Sequence, residues 1–137
     1  MRFPSRFLIP LFAGAGALHF AKPAPFDGIV PPQLPGRPRT YTYASGAAEI
    51  AAATLLAAPW LGPRNHAGHR RRSRKMQRFG GLFAAVLLAA VWPANFYMAW
   101  QWRDQPPAKR ALAIGRLPLQ LPLIGAARRV HKEGRLD

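Results

Sequence analysis

Hydrophobic and polar positions along this chain fall into blocks, not into the one-sided stripe of a soluble helix. Residues 79–102 carry no charge over 24 positions, and residues 41–63 carry only Glu49. A helix on the surface of a soluble domain keeps one polar face at a 3.6-residue period, whereas these segments are apolar all round. With a rise of about 1.5 Å per residue, about 20 residues cross a hydrocarbon core about 30 Å thick. The pattern therefore predicts an all-α fold, an integral membrane four-helix bundle in a single domain over residues 1–137. Its spans are residues 7–21, 42–61, 79–102 and 111–127, with a basic cytoplasmic loop over residues 62–78. The first span is short and is lengthened by Arg6 reaching toward the headgroups. The fourth is interrupted by Arg116, Pro118, Gln120 and Pro122, which a span tolerates when it packs against its neighbours. A cleaved secretory signal is the rival reading of the first segment, from Arg2, Arg6 and the Ala15-Gly16-Ala17 tripeptide. Pro10 interrupts the apolar run on which that reading depends.

Charge decides orientation. The chain holds 20 Lys and Arg against 5 Asp and Glu, a formal charge of +15, a balance that elsewhere suggests nucleic acid. Here the charge is segregated into the connections, and the uncharged spans exclude a soluble nucleic-acid binder. Thirteen basic residues lie in the N-terminal stub, the 62–78 loop and the tail after residue 127; six lie in the two opposite loops. Short loops rich in Lys and Arg stay cytoplasmic, so both termini are expected there. The RRRSRK run (residues 70–75) reads as a retention charge facing anionic lipid. With no cysteine, the chain has no disulfide, thiol nucleophile or Cys-ligated zinc.

Small residues recur every fourth position at Ala13, Ala17 and Ala21, at Ala44, Ala48 and Ala52, and at Gly81, Ala85 and Ala89. Such spacing lets helices approach closely in lipid. Placed by depth, the polar spanning residues His19, Glu49, Asn95, Arg116 and Gln120 all fall in the outer half of the bundle. A charge at that depth costs about 2.5–3.5 kcal/mol, so Glu49 and Arg116 are expected to face inward and interact, directly or through Asn95, Gln120 or water. This layer is either a small polar pocket opening outward or an interhelical clamp. His19 lacks a second ligand at suitable spacing, so no metal site is expected. Tyr41, Tyr43, Trp60, Trp92, Tyr97, Trp100 and Trp102 read as interface aromatics, with a stacking site for a quinone ring as the sharper alternative. Six prolines in residues 22–40 exclude an ordinary helix or central strand there and suggest an extracytoplasmic cap over the polar layer.

The runs HFAKPAPFDGIVPPQLP (residues 19–35), YASGAAE (43–49), WPANFYMA (92–99) and RLPLQ (116–120) together resemble the small four-span DoxX-like bacterial membrane proteins. The pattern positions include His19, Phe20, Pro23, Phe26, Pro31, Pro32, Pro35, Ser45, Gly46, Glu49, Pro93, Asn95, Met98, Arg116, Pro118 and Gln120. The resemblance implies a multi-pass protein linked to redox assemblies, with quinone as candidate ligand and membrane or redox proteins as partners. The cysteine-free chain departs from any thiol-based version. No nucleophile–base pair or Gly-rich phosphate loop supports a stand-alone enzyme. The leading expectation is a non-catalytic component of a redox-linked membrane assembly, in the lipid bilayer and open to homo-oligomerisation. The alternative is a small proton-coupled carrier using Glu49 and Arg116.

Overall fold

The structure, a computed structural model, describes residues 4–62 and 67–136. A 3-10 turn at Ser5–Phe7 leads into α1 (Leu8–Ala21), followed by the single turn α2 (Ala24–Asp27), then α3 (Pro38–Ala57) with a closing 3-10 turn at Ala58–Trp60, α4 (Ala67–Gln101) and α5 (Pro107–Glu133). The described residues contain no strand. Pro38 and Pro107 open α3 and α5, where the missing N–H is unneeded and the fixed φ suits the helix. Gly134, at φ +67°, ends α5 in the left-handed conformation, its N–H donating to the Val130 carbonyl at 2.8 Å.

Several boundaries differ from the sequence reading: α3 runs over Pro38–Ala57 where 42–61 was expected, and α5 over Pro107–Glu133 where 111–127 was expected. The stretch 62–78 was expected to be a loop, but α4 begins at Ala67, so most of the basic run is helical. Arg, Lys, Gln and Met are good helix formers, and two polar residues of the run turn inward. Ser73 is 3% and Gln77 2% exposed, and Gln77 Nε2 donates to the Leu56 carbonyl at 2.8 Å, capping the end of α3. Arg64 and His66 of that expected loop, and Arg2 of the N-terminal stub, lie outside the described residues. The Pro-rich segment likewise holds one helical turn, α2, where Pro23 and Pro25 sit at the start and cost no helical hydrogen bond.

Helix α1 lies along α3, α3 against α4, and α4 along α5, while α1 and α5 meet mainly through the leading 3-10 turn. The apolar core fills the half of the bundle nearest that turn: Leu8 and Phe12, Ala52, Ala53 and Leu56, Ala84, Ala85 and Leu88, and Ala126, Ala127 and Val130. Glycines set the helix separations. A Cβ on Gly16 would stand 2.9 Å from the Gly46 carbonyl oxygen, and one on Gly46 would stand 2.7 Å from His19 Cβ. On α4, a Cβ on Gly80 would meet Leu55 Cβ at 2.8 Å, and one on Gly81 the Ala127 carbonyl oxygen at 2.7 Å. These adjacent glycines let α3 and α5 both approach α4. The expected stripe Ala13, Ala17 and Ala21 is exposed instead, because the inward face of α1 runs through Phe12, Gly16 and His19.

Helix α4 is long and apolar enough to cross a membrane; Ser5–Ala21 is apolar but shorter. Neither α3 nor α5 reaches that measure, since Glu49 with several Tyr, Ser and Thr dilutes the first, and Arg116, Gln120 and the prolines dilute the second. Among the described residues most basic side chains other than Arg116 sort to two ends. Arg78 Nε donates to the His131 carbonyl at 2.9 Å and the Arg78 carbonyl pairs with His131 Nδ1 at 3.0 Å, which joins the basic run of α4 to the tail of α5.

Candidate functional site: a polar cavity at the open end of the bundle

At the end opposite the apolar core, α1 and α5 part and the helices enclose a cavity of about 380 Å³. Every helix contributes to it. His19 comes from α1, Tyr41, Thr42, Ser45 and Glu49 from α3, Asn95 from α4 and Arg116 from α5; Phe26 of α2 and the segment Ile29, Val30, Pro31, Gln33 and Leu34 close it from above. The lining is mostly apolar with a few convergent polar groups, and the volume lies in the small-molecule range of about 300–1,000 Å³.

The lid is tied down on both sides. Phe26 stacks on the His19 ring with centroids 3.8 Å apart. Asp27 accepts hydrogen bonds from Thr42 Oγ1 at 2.6 Å and Arg39 Nε at 2.8 Å, and Tyr41 Oη donates to the Pro35 carbonyl at 2.6 Å. The Thr42 hydroxyl, and after it Arg39, holds the Asp27 carboxyl below the ordinary aspartate value, against the partial burial that would raise it.

Glu49 is 9% exposed, and its Oε2 is buried without a hydrogen-bond partner. His19 Nδ1 lies 3.1 Å from that oxygen, but its proton is aimed at the Ala15 carbonyl 2.7 Å away. The expected Glu49–Arg116 interaction is thus not a direct contact: the titratable side chain that touches the Glu49 carboxylate is His19. The contact of Arg116 is Nη1 to Met98 Sδ at 3.7 Å, a soft and weak acceptor. Both groups nevertheless line the one cavity. Asn95, 5% exposed, faces it as well. Gln120 is the member of the expected layer that does not line it. One turn deeper, its Nε2 donates to the Leu88 carbonyl at 3.3 Å, next to the Ala89 carbonyl that Pro93, lacking an N–H, cannot serve.

Placement by depth missed Thr42 and Ser45, and of the two only Ser45 appeared among the pattern positions of the resemblance. The signal was available, because seven and four residues before Glu49 is the same helical face. Of the expected interface aromatics, Tyr41 lines the cavity, and Trp92 has a buried Nε1 without a partner. Tyr43, Trp60 and Trp100 are exposed. Among the described residues no group of three or more His, Asp or Glu side chains converges as a metal site would require.

Fold and site together define a small helical bundle, one helix of which has spanning length, with a lidded amphiphilic cavity at one end. The chain belongs to the family described as a domain of unknown function (DUF8561), which it matches over residues 8–131. No curated protein and no solved structure matches it.

Proposed function

We propose that this chain is a multi-pass bacterial plasma-membrane protein, a four-span bundle of DoxX-like type with both termini cytoplasmic. It serves as a non-catalytic component of a redox-linked membrane assembly by holding the polar head of a lipophilic ligand in the outer-leaflet cavity. The membrane reading is supported by the apolar outer surface and the polar groups buried within. Large apolar residues on all four long helices point outward, Leu18, Ile50, Val86, Phe96, Leu112, Ile114 and Leu121 among them, each more than two-fifths exposed. His19, Thr42, Glu49, Asn95 and Gln120 are buried instead. An aqueous surface so apolar would drive association, whereas lipid favours it and sends polar groups inward.

The ligand reading rests on one observation: a buried carboxylate oxygen without a hydrogen bond, facing a cavity it shares with a guanidinium. Such an oxygen forfeits about 1–3 kcal/mol or more until a donor reaches it. A ligand that carries both a hydroxyl donor for Glu49 and an acceptor for Arg116 or Asn95 satisfies the site. A quinol–quinone couple has that chemistry and a flat ring that suits the lining of Phe26, Tyr41 and Pro93.

The test is native mass spectrometry of protein extracted in mild detergent from its own host, wild type against Glu49→Gln. A stoichiometric quinone-sized or lipid adduct on the wild type, lost in the variant, is the expected result. A protein free of small adducts, or an adduct equally retained by the variant, overturns the ligand reading.

A further inference from the structure

The opposite end of the molecule holds a second recess, of about 570 Å³, between the first turns of α4 and the last of α5. Among the described residues Arg70, Arg71, Arg74, Lys75 and Arg78 line it, with Glu133 as the one acid. Glu133 already faces Arg135 at 3.5 Å, and Arg78 is committed to the His131 carbonyl. Among the described residues Arg70, Arg71, Arg74 and Lys75 make no ion pair. Arg70, Arg74 and Arg78 follow one another at four-residue spacing, as do Arg71 and Lys75, and like charges so spaced destabilise a helix. The helix holds this run nonetheless, and no acidic side chain among the described residues serves Arg70, Arg71, Arg74 or Lys75 as a counter-ion.

Depth identifies what supplies one. The outward apolar surface of α4 resumes at Phe79, Leu82 and Val86, each more than two-fifths exposed. Arg78, Lys75 and Arg74 stand one, four and five residues before Phe79, or about 1.5, 6 and 8 Å along the axis. A headgroup layer is about 5–8 Å thick on each side of the hydrocarbon core. We infer that the recess formed by Arg74, Lys75 and Arg78 against the end of α5 binds the phosphate of an anionic phospholipid in the cytoplasmic leaflet. The floor is rigid, because the paired Arg78–His131 contacts fix α4 to α5 and Gly134 packs against the Arg78 stem, where a Cβ would stand 3.1 Å from Arg78 Cγ and Cδ.

The inference rests on the membrane reading above and is independent of the outer cavity. The protein is reconstituted into vesicles of phosphatidylcholine alone and of equal phosphatidylcholine and phosphatidylglycerol, re-extracted in mild detergent, and its retained lipid measured. Failure to insert into either vesicle contradicts the membrane reading. Phosphatidylglycerol enriched on the wild type is the expected result here. Each cation at an anionic surface multiplies affinity about fivefold, so Arg74→Gln with Lys75→Gln is expected to lower the enrichment roughly thirtyfold. Both positions are exposed, and Arg74→Lys with Lys75→Arg is expected to keep the enrichment. Glu49→Gln is expected to leave it unchanged. Insertion without enrichment, an enrichment that survives the double Gln variant, or a single-stranded oligonucleotide that displaces the retained phosphatidylglycerol overturns the site.

Discussion

Gly46 lacks a side chain where α3 crosses α1, and a methyl group there would collide with His19 Cβ at 2.7 Å and press the Phe20 ring at 3.0 Å. Gly46→Ala is expected to destabilise the protein by about 1–3 kcal/mol, the ordinary cost of overpacking, read as a lower thermal midpoint in mild detergent. Gly14 has nothing within 4 Å of such a Cβ, so Gly14→Ala is expected to be neutral or to gain up to about 1 kcal/mol. Equal losses at the two positions would refute the crossing. Asp27 gives a pH signature at the lid. Its folded pKa is depressed below the unfolded one, so the clamp on Thr42 and Arg39 contributes fully above the ordinary aspartate value and is lost as pH falls through the folded value. Amide exchange in residues 22–37 is expected to speed up on acidification in the wild type and to be fast and pH-insensitive, beyond intrinsic exchange, in Asp27→Asn. An identical profile in both would contradict the clamp.

The joints between elements depend on polar side chains as well as glycines. Gln77 reaches from α4 to the last turn of α3, and Gln77→Leu would leave the buried Leu56 carbonyl without that donor. A loss of about 1–3 kcal/mol is expected, again as a thermal midpoint; no loss would mean that another donor serves the carbonyl. This contact shows how far the sequence was legible. The four long helices follow from long stretches poor in charge, although the last six residues of α5, up to Gly134, lie beyond the expected span. The amino-terminal extension of α4 does not follow, because a dense basic run has the composition of a solvated loop; only Ser73 and Gln77, four residues apart, mark its inward face. The site was legible in its members and not in its pairing. Depth along each span groups His19, Glu49, Asn95 and Arg116, but rotation about each helix axis decides which side chains meet. That rotation is set by Gly16 and Gly46, which bring His19 to Glu49. The Ala13–Ala17–Ala21 stripe failed for the same reason, since alanine is tolerated on an outward face that lipid or solvent covers.

At the scale of the whole molecule, an apolar core fills one half, buried polar groups gather in the other, and many large apolar residues still face outward, with most basic residues among those described near the two ends. The proposed account makes this a membrane arrangement: the lidded cavity opens on the extracytoplasmic side, and the recess at Arg74 and Lys75 faces cytoplasmic headgroups. The absence of native cysteine allows a direct test. Asp104, on the α4–α5 connection, and Lys132, near the end of α5, are both exposed and lie at opposite ends of α5. Single variants Asp104→Cys and Lys132→Cys would be treated with a membrane-impermeant maleimide in intact and in permeabilised bacterial cells, with alkaline carbonate extraction alongside. The account expects Asp104→Cys to be labelled in intact cells, Lys132→Cys only after permeabilisation, and the protein to stay in the membrane pellet. Equal labelling of both sites in intact cells, or release of the protein by carbonate, would contradict it.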